Sequence, residues 1–258
     1  AIVRFNKKII DNIADIVPAV KVQVAYYEMY GSEGMRAFAE TLAYAKSKGM
    51  VTMADVKRND IGSTAAAYSK AYLGENLVGG KAFTPFESDF VTLNGYLGGD
   101  GIKPFVDDAE KHGKGAFVLV KTSNPSSGEL QNKKLENGNT VYEEMASFVK
   151  EWGKNLVGDC GYSSIGAVVG ATHKEEAAIL REKFPSLFFL VPGYGAQGAT
   201  AEDVAVNFDK NGLGAIVNSS RGILCAYKKD KYQGMTYFAA ARAAALDMKE
   251  DLTAHIGL

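Results

Sequence analysis

Residues 51–62 read Val-Thr-Met-Ala-Asp-Val-Lys-Arg-Asn-Asp-Ile-Gly, an apolar run that ends in alternating charges. Side chains at positions i and i+2 of a β-strand share a face, so Asp55 and Lys57 should point the same way. Asp60 follows on the connecting loop. A carboxylate beside an ammonium group at the carboxyl end of a strand is typical of a catalytic site, and a structural ion-pair network is the alternative.

Similar apolar runs recur along the chain, separated by segments in which apolar residues have helical spacing. We predict seven strands, over residues 19–26, 51–57, 89–94, 116–122, 165–170, 187–192 and 214–219. An amphipathic helix should precede the first strand, and Ser32, Asp100 and Thr172 are the predicted N-caps of later helices. Those later helices are predicted over 32–48, 62–73, 101–113, 140–155, 173–183, 201–209 and 235–250.

This alternation predicts an α/β fold with parallel strands and crossover connections. Seven strands behind a leading helix fit a (β/α)8 TIM barrel whose first strand is missing from the recorded sequence. A doubly wound open sheet is the competing architecture, but the sequence has no Gly-x-Gly-x-x-Gly turn after an early strand. We therefore predict one barrel domain over residues 1–258, with the polar stretch 123–139 as a functional loop.

The composition limits which kinds of molecule the protein is expected to bind. The net charge of −1 gives no general attraction to nucleic acid or to an anionic membrane. No apolar run is long enough to span a bilayer and no signal peptide is visible, so we expect a cytoplasmic enzyme. Cys160 and Cys225 are predicted to be buried free thiols. His112, His173 and His255 lack metal-ligand spacing and are predicted to lie at the surface, so we expect no metal site.

Two further polar residues belong to the predicted carboxyl ends of strands. Lys21 and Gln23 alternate with three valines, so Lys21 should point into the barrel, where Asp55 is its natural partner. The alternative for Lys21 is a strand end that reaches solvent. Ser123 follows the strand over 116–122 and could bind a polar ring, or simply form a turn.

Two loops after the last two strands have the composition of a phosphate site. The first reads Pro-Gly-Tyr-Gly-Ala-Gln-Gly over residues 192–198, and Gln197 adds a side-chain donor to its flexible glycines. The second reads Asn-Ser-Ser-Arg-Gly over 218–222, where Arg221 could grip a phosphate through two hydrogen bonds. Loops after strands 7 and 8 of TIM barrels often bind phosphate. We therefore assign Pro192, Gln197, Arg221 and Gly222 to substrate binding.

Taken together, these segments resemble the orotidine 5′-phosphate decarboxylase family. The stretch Ala-Asp-Val-Lys-Arg-Asn-Asp-Ile-Gly-Ser-Thr over 54–64 resembles the family's Asp-x-Lys-x-x-Asp signature, and the two loops resemble its phosphate loops. The segments Lys-Val-Gln-Val-Ala-Tyr-Tyr-Glu and Thr-Ser-Asn-Pro-Ser-Ser-Gly resemble its longer, largely bacterial branch. The resemblance implies conversion of orotidine 5′-phosphate to uridine 5′-phosphate in de novo pyrimidine biosynthesis, without metal or organic cofactor.

The resemblance also implies roles for the charged residues. Lys57 would donate a proton to pyrimidine C6, Asp55 would lie near the departing carboxylate, and Lys21 would contact the ribose. Asp60, Ile61 and Thr64 would reach the neighbouring subunit's site, which implies a homodimer.

The remaining implied contacts concern substrate binding. Ser123 would contact the pyrimidine, while Gln197 and Arg221 would hold the phosphate. Two departures from the family pattern stand out: the recorded sequence begins after the family's first strand, which bears a ribose-binding Asp, and Gly95 replaces a common Pro. If that strand is absent, the barrel should be open, with two unpaired edges.

Other functions remain open at this level. A Mg²⁺-dependent sugar-phosphate decarboxylase of the same superfamily would share the Asp-x-Lys-x-x-Asp strand. A phosphate-binding barrel isomerase would release no CO2. A non-catalytic nucleotide-binding fragment would bind uridine phosphates without turnover.

Overall fold

The computed structural model describes residues 1–195 and 197–257, and its main feature is a seven-stranded parallel sheet. The order β1-β2-β5-β6-β7-β8-β9, with every pair parallel, confirms the predicted α/β barrel. The strands are β1 Ala19–Gln23, β2 Val51–Arg58, β3 Asn76–Val78, β4 Lys81–Phe83, β5 Phe90–Leu93, β6 Gly115–Lys121, β7 Ser163–Val169, β8 Leu187–Pro192 and β9 Ala215–Asn218.

Helices surround this sheet, as expected for crossover connections between parallel strands. They are α1 Ile2–Ile13, α2 Ala25–Glu28, α3 Gly31–Ser47, α4 Gly62–Tyr72, α5 Gly99–His112, α6 Val141–Trp152, α7 Lys174–Lys183, α8 Ala201–Ala205, α9 Arg221–Leu224 and α10 Tyr237–Ile256. The predicted loop after β6 contains a short 3-10 helix, Pro125–Glu129.

Three predicted N-caps and one predicted strand end are wrong. Ser32, Asp100 and Thr172 are not N-caps: the residues at those helix starts are Tyr30, Gly98 and His173, none with a side-chain cap. Helices α6, α8 and α10 are instead capped by hydroxyls, from Thr140, Thr200 and Thr236. Strand β1 ends at Gln23 rather than residue 26, because the Val24 carbonyl accepts the N–H groups of Tyr27 and Glu28 in the first turn of α2.

A β-hairpin between α4 and β5 was not predicted. Strands β3 and β4 pair antiparallel around Gly79-Gly80, whose φ values are 58° and 77°. Positive φ at both central residues suits a tight hairpin turn, and Gly-Gly supplies it without steric cost. The hairpin exposes apolar side chains: Leu77, Val78 and Phe83.

The barrel interior consists of an apolar layer beneath a polar one. One buried cluster is formed only by strand residues: Met53, Phe117, Val168 and Leu190. Ala19 and Phe90 pack against it. Because alternate side chains of a strand share a face, the next inward positions lie two residues further along. On β1, β2 and β5 those positions hold Lys21, Asp55 and Thr92.

The barrel is open on one side. In the described ranges β1 pairs only with β2 and β9 only with β8, so each has an unpaired edge. Between them is an apolar slot of about 490 Å³, lined in part by Ile9, Ile13, Val20, Ile216, Ile223 and Met248. Helices α1 and α10 close this slot from outside: Phe5 stacks on Tyr237 at 4.8 Å, and Arg242 pairs with Asp15 at 2.6 Å.

The exposure of the cysteines and histidines differs in part from the prediction. Both cysteines are free, as predicted, but Cys160 is exposed and Cys225 half-buried, so the predicted burial is wrong. His112 and His173 are half-buried rather than exposed, because they pack at the ends of α5 and α7, whereas His255 is exposed. Within residues 1–195 and 197–257, no helix combines the length and the apolar character needed to cross a membrane.

Candidate active site

The structure brings Lys21, Asp55 and Lys57 together at the carboxyl ends of β1 and β2. One carboxylate oxygen of Asp55, Oδ2, accepts a hydrogen bond from Lys21, and the other, Oδ1, accepts one from Lys57 Nζ at 2.5 Å. The Asp55 side chain is 6% exposed, Lys21 13% and Lys57 42%. The carboxylate is therefore buried between two ammonium groups, of which only Lys57 has substantial access to solvent.

The charge state of Asp55 follows from two opposing effects. Burial alone would raise the pKa of Asp55, but the positive charges and hydrogen bonds of Lys21 and Lys57 outweigh it and hold the pKa below its ordinary value. Asp55 is consequently an anion at neutral pH. Two ammonium groups against one carboxylate leave one net positive charge at the carboxyl ends of β1 and β2.

Asp60, Ile61 and Thr64 are placed differently. Asp60 accepts a hydrogen bond from the Ile61 backbone N–H at 2.8 Å, and in the described part of the chain it forms no ion pair with Lys57. Ile61 is 55% exposed, and Thr64, in the first turn of α4, is also exposed. In the described part of the chain, none of these three side chains is hydrogen-bonded to the Lys21–Asp55–Lys57 array.

The two glycine-rich loops lie side by side. Pro192, which ends β8, is in register with Asn218, which ends β9. Gly193, Gly195 and Gly198 all have positive φ, a conformation that other residues rarely adopt. Ala196, inside this loop, lies outside the described residues, while Gln197 is described and exposed.

Both loops line a common cavity of about 880 Å³. Its wall includes Gly195 from the first loop and Ser219, Arg221 and Gly222 from the second. Arg221 is exposed at the start of α9. Lys229 adds a positive charge, and Asp247 and Asp251 add negative ones. The Gly195 and Gly198 N–H groups donate within the first loop, to the Ala199 and Gly195 carbonyls. The Arg221 guanidinium group beside these glycines is the element of the cavity best suited to bind phosphate.

Comparisons with known proteins agree with this geometry. The model of the family described as "Orotidine 5′-phosphate decarboxylase / HUMPS family" matches residues 4–233. The chain belongs to this family. Two bacterial relatives carry the name orotidine 5′-phosphate decarboxylase. The protein of Clostridium acetobutylicum is 46% identical over 98% of this chain and 85% of its own length. That of Caldicellulosiruptor saccharolyticus is 48% identical over 98% of this chain and 82% of its own.

Solved structures confirm the barrel. The UMP synthase of Leishmania donovani superposes with a TM-score of 0.80 at 30% identity, over 98% of this chain. This chain spans half the length of that protein. The predicted membership of the orotidine 5′-phosphate decarboxylase family is thus confirmed.

Ser123, the residue that the family resemblance places on the pyrimidine, is half-buried at the end of β6. Its carbonyl accepts a hydrogen bond from the Thr172 hydroxyl at 3.2 Å, which ties the loop to the end of β7. Gly170 permits this arrangement, because a Cβ there would lie 2.8 Å from the Ser123 backbone. The position of Ser123 thus depends on a glycine in the neighbouring strand connection.

The second departure from the family pattern, Gly95, has a local explanation. A Cβ at this position would lie 2.7 Å from Met145 Sδ. The thioether of α6 fills the space that a larger residue would need, so we expect the exchange to be accommodated locally.

One site residue was missed at the level of sequence. The Thr92 hydroxyl, 1% exposed on β5, donates a hydrogen bond to Asp55 Oδ1 at 2.9 Å. Thr92 lies at the inward position of a predicted strand, and that was the available signal. What could not be foreseen was the register shift between β2 and β5.

The described residues contain no group of three or more His, Cys, Asp or Glu side chains arranged to hold a metal ion. The ionisable centre of this family member consists of two lysines and one aspartate, and a basic ammonium group is a poor ligand for Mg²⁺.

Proposed function

We propose that this chain decarboxylates orotidine 5′-phosphate to uridine 5′-phosphate in de novo pyrimidine biosynthesis, with no metal or organic cofactor. The observation that carries the proposal is the buried Asp55 carboxylate between Lys21 and Lys57. Family membership and the names of the relatives support the choice of substrate. The enzyme would act in the cytoplasm as a single barrel domain over residues 1–258, without nucleic-acid or membrane partners.

The reaction requires stabilisation of negative charge on carbon. When the bond between pyrimidine C6 and the carboxylate breaks, CO2 leaves and the electron pair remains on C6. The Lys57 ammonium group stabilises this charge as it develops and then donates a proton to C6, giving uridine 5′-phosphate. Neutral Lys57 regains its proton from water, to which its 42% exposed side chain has access.

The two partners of Lys57 have complementary tasks in this proposal. Asp55 fixes the Lys57 ammonium group by a 2.5 Å hydrogen bond and lies near the departing carboxylate. Lys21 holds the second oxygen of Asp55 and contacts the ribose. Because both oxygens of Asp55 are engaged, the ammonium groups are held in place before substrate arrives, which lowers the reorganisation needed during reaction.

Substrate binding is assigned to residues away from the reacting carbon. Ser123 would contact the pyrimidine, while Gln197 and Arg221, with the backbone at Pro192 and Gly222, would hold the phosphate. Binding energy from this remote group can position the substrate or drive closure of a loop. Loss of the phosphate contacts should therefore lower turnover as well as affinity.

A homodimer completes the proposed site. Asp60, Ile61 and Thr64 would enter the neighbouring subunit's site, and the exposure of Ile61 and Thr64 supports this assignment. Mixing Asp60→Ala with Lys57→Ala subunits tests it, because each mixed dimer contains one site with both groups intact. We expect partial recovery of activity, and mixed dimers that stay as inactive as their parents would contradict the shared site.

The proposed reaction is tested by following the ultraviolet absorbance of orotidine 5′-phosphate. We expect the wild-type protein to consume it with equal yields of CO2 and uridine 5′-phosphate. Lys57→Ala should reduce the rate on the order of 10⁴-fold, because both charge stabilisation and proton donation are lost.

Lys154→Ala is the matched control, since Lys154 is 58% exposed in the short 3-10 helix after α6 and should be replaceable without loss of activity. Full activity in the presence of a chelator is expected, whereas a strict requirement for Mg²⁺ would favour a sugar-phosphate decarboxylase. A wild-type protein that binds uridine phosphates but releases no CO2 would refute the proposed reaction.

A further inference from the structure

The strand that carries Asp55 and Lys57 is irregular at the position of these residues. Ala54 is in register with Val91 and Arg58 with Leu93, so a four-residue step on β2 lies opposite a two-residue step on β5. Extra residues in one strand of a pair form a bulge, which bends the strand and redirects its side chains. The bulge contains Asp55, Val56 and Lys57.

Lys57 has an unusual backbone within this bulge. Its φ is +47°, and no other non-glycine residue of the described chain has a positive φ. This left-handed conformation is unfavourable for a residue with a Cβ and persists only where the surroundings enforce it. The backbone that aims the Lys57 side chain must therefore be held by specific contacts.

Thr92, opposite the bulge on β5, supplies those contacts. Its Oγ1 accepts hydrogen bonds from the backbone N–H groups of Val56 and Lys57, each at 2.9 Å. The same hydroxyl donates to Asp55 Oδ1 at 2.9 Å. A hydroxyl can donate one hydrogen bond and accept two. The hydrogen-bonding capacity of the Thr92 hydroxyl is therefore filled by three consecutive residues of β2.

We propose that Thr92 is a positioning residue for Lys57: its hydroxyl replaces the missing strand pairing and holds the left-handed backbone from which the ammonium group reaches the reacting carbon. This inference rests on the proposed decarboxylation for its kinetic consequence. Thr92 also fixes Asp55, so one buried hydroxyl orients both the ammonium group and the carboxylate that binds it.

The test compares Thr92→Val, which keeps the shape and removes the hydroxyl, with Thr92→Ser, which keeps the hydroxyl. We expect kcat of Thr92→Val to fall on the order of 100-fold, because a small displacement of a reacting group has an effect of that size. KM should change little, because the phosphate loops are untouched. Thr92→Ser should retain most of the activity.

A readout that does not depend on turnover is the backbone carbon chemical shifts of residue 57, which report its φ. We expect the left-handed signature in the wild type and in Thr92→Ser, and its loss in Thr92→Val. Unchanged shifts in Thr92→Val would overturn the inference even if the wild type proved inactive. An active wild type with equal kcat in Thr92→Val would overturn it as well, whereas an inactive wild type alone would count against the proposed reaction.

Discussion

Lys57 on β2 and Lys121 on β6 both lie at the carboxyl ends of strands, but their surroundings differ. Lys57 is partly exposed and is bound to the carboxylate of Asp55 at 2.5 Å. Lys121 is completely buried, and its Nζ donates to the neutral Asn132 Oδ1 at 2.6 Å. The nearest carboxylate oxygen that it meets, on Glu176, is 3.8 Å away.

These surroundings have different effects on charge. Burial lowers the pKa of Lys121, because the attraction of Glu176 does not compensate for the loss of water around the ammonium group. At Asp55 the order is reversed, and the two adjacent lysines outweigh burial. Direct contact with an opposite charge, rather than depth in the fold, therefore decides whether a buried charge is stabilised.

The two lysines also differ in what they hold. Lys121 contacts Asn132 and lies 3.4 Å from Ser127 Oγ, so it fastens the loop that begins with Ser123 to the end of β6. His173 lies 3.3 Å from the same Ser127 hydroxyl. Lys121 thus stabilises the conformation of a loop, whereas the Lys57 side chain is paired with Asp55 and accessible to solvent.

The largest effect is expected for Asp55→Asn, which leaves Lys21 and Lys57 close together without their shared anion. Removal of one partner from a buried ion pair costs about 3–5 kcal/mol, since an unpaired buried charge remains. We expect the free energy of unfolding at neutral pH to fall by about 3 kcal/mol, the lower end of that range, because Lys57 can turn toward water. Urea unfolding measures this difference.

The stability difference between wild type and Asp55→Asn should also depend on pH. The pKa of Asp55 is lower in the folded protein than its ordinary value of 3.8, so its pairing stabilises the fold fully above that value. This stabilisation is lost as the pH falls below 3.8 and through the folded-state pKa. The difference between wild type and Asp55→Asn should be constant from about pH 7 to pH 5 and shrink near pH 3. A difference that did not depend on pH would mean that packing, not charge, sets the effect.

A smaller effect is expected for Lys121→Met, which replaces a buried ammonium group with an apolar chain of similar length. The desolvation cost of the charge disappears, while Asn132 and Ser127 lose a donor, so the free energy of unfolding should change by about 1 kcal/mol or less. Local stability should fall instead: amide hydrogen exchange should accelerate in residues 122–132.

Lys133→Met, in the same loop, is the control, because Lys133 is exposed and its replacement should leave the exchange rates unchanged. If Lys121→Met destabilised the whole protein as much as Asp55→Asn, the contrast between the two lysines would fail.

Regular apolar patterns made the barrel predictable from sequence. All seven strands of the barrel were located, because runs such as 116–122 and 187–192 are apolar enough to be buried on both faces. The hairpin over residues 76–83 was not predicted, since its exposed strands lack that pattern and its Gly-Gly turn was the only signal. Three N-caps were misassigned, because a polar residue near a helix start is not necessarily its cap.

The candidate site was predictable only in part, for a similar reason. The pairing of Lys21 with Asp55 follows from alternation along two neighbouring strands. The function of Thr92 depends on a register shift between β2 and β5, and no local sequence pattern predicts that shift. Lys121 sits inside an apolar strand pattern, and its partners are 6 and 11 residues away in a loop.

The pair of outer helices α1 and α10 has a consequence for the enzyme's interior. Since β1 and β9 share no hydrogen bonds in the described chain, the distance between them is set by contacts such as Phe5 with Tyr237 and Arg242 with Asp15. Lys21 stands on one margin of that gap and the Arg221 loop follows the other. The spacing between Lys21 and the Arg221 loop is therefore expected to respond to substitutions at these outer contacts, although none of the four residues lies on β1 or in that loop.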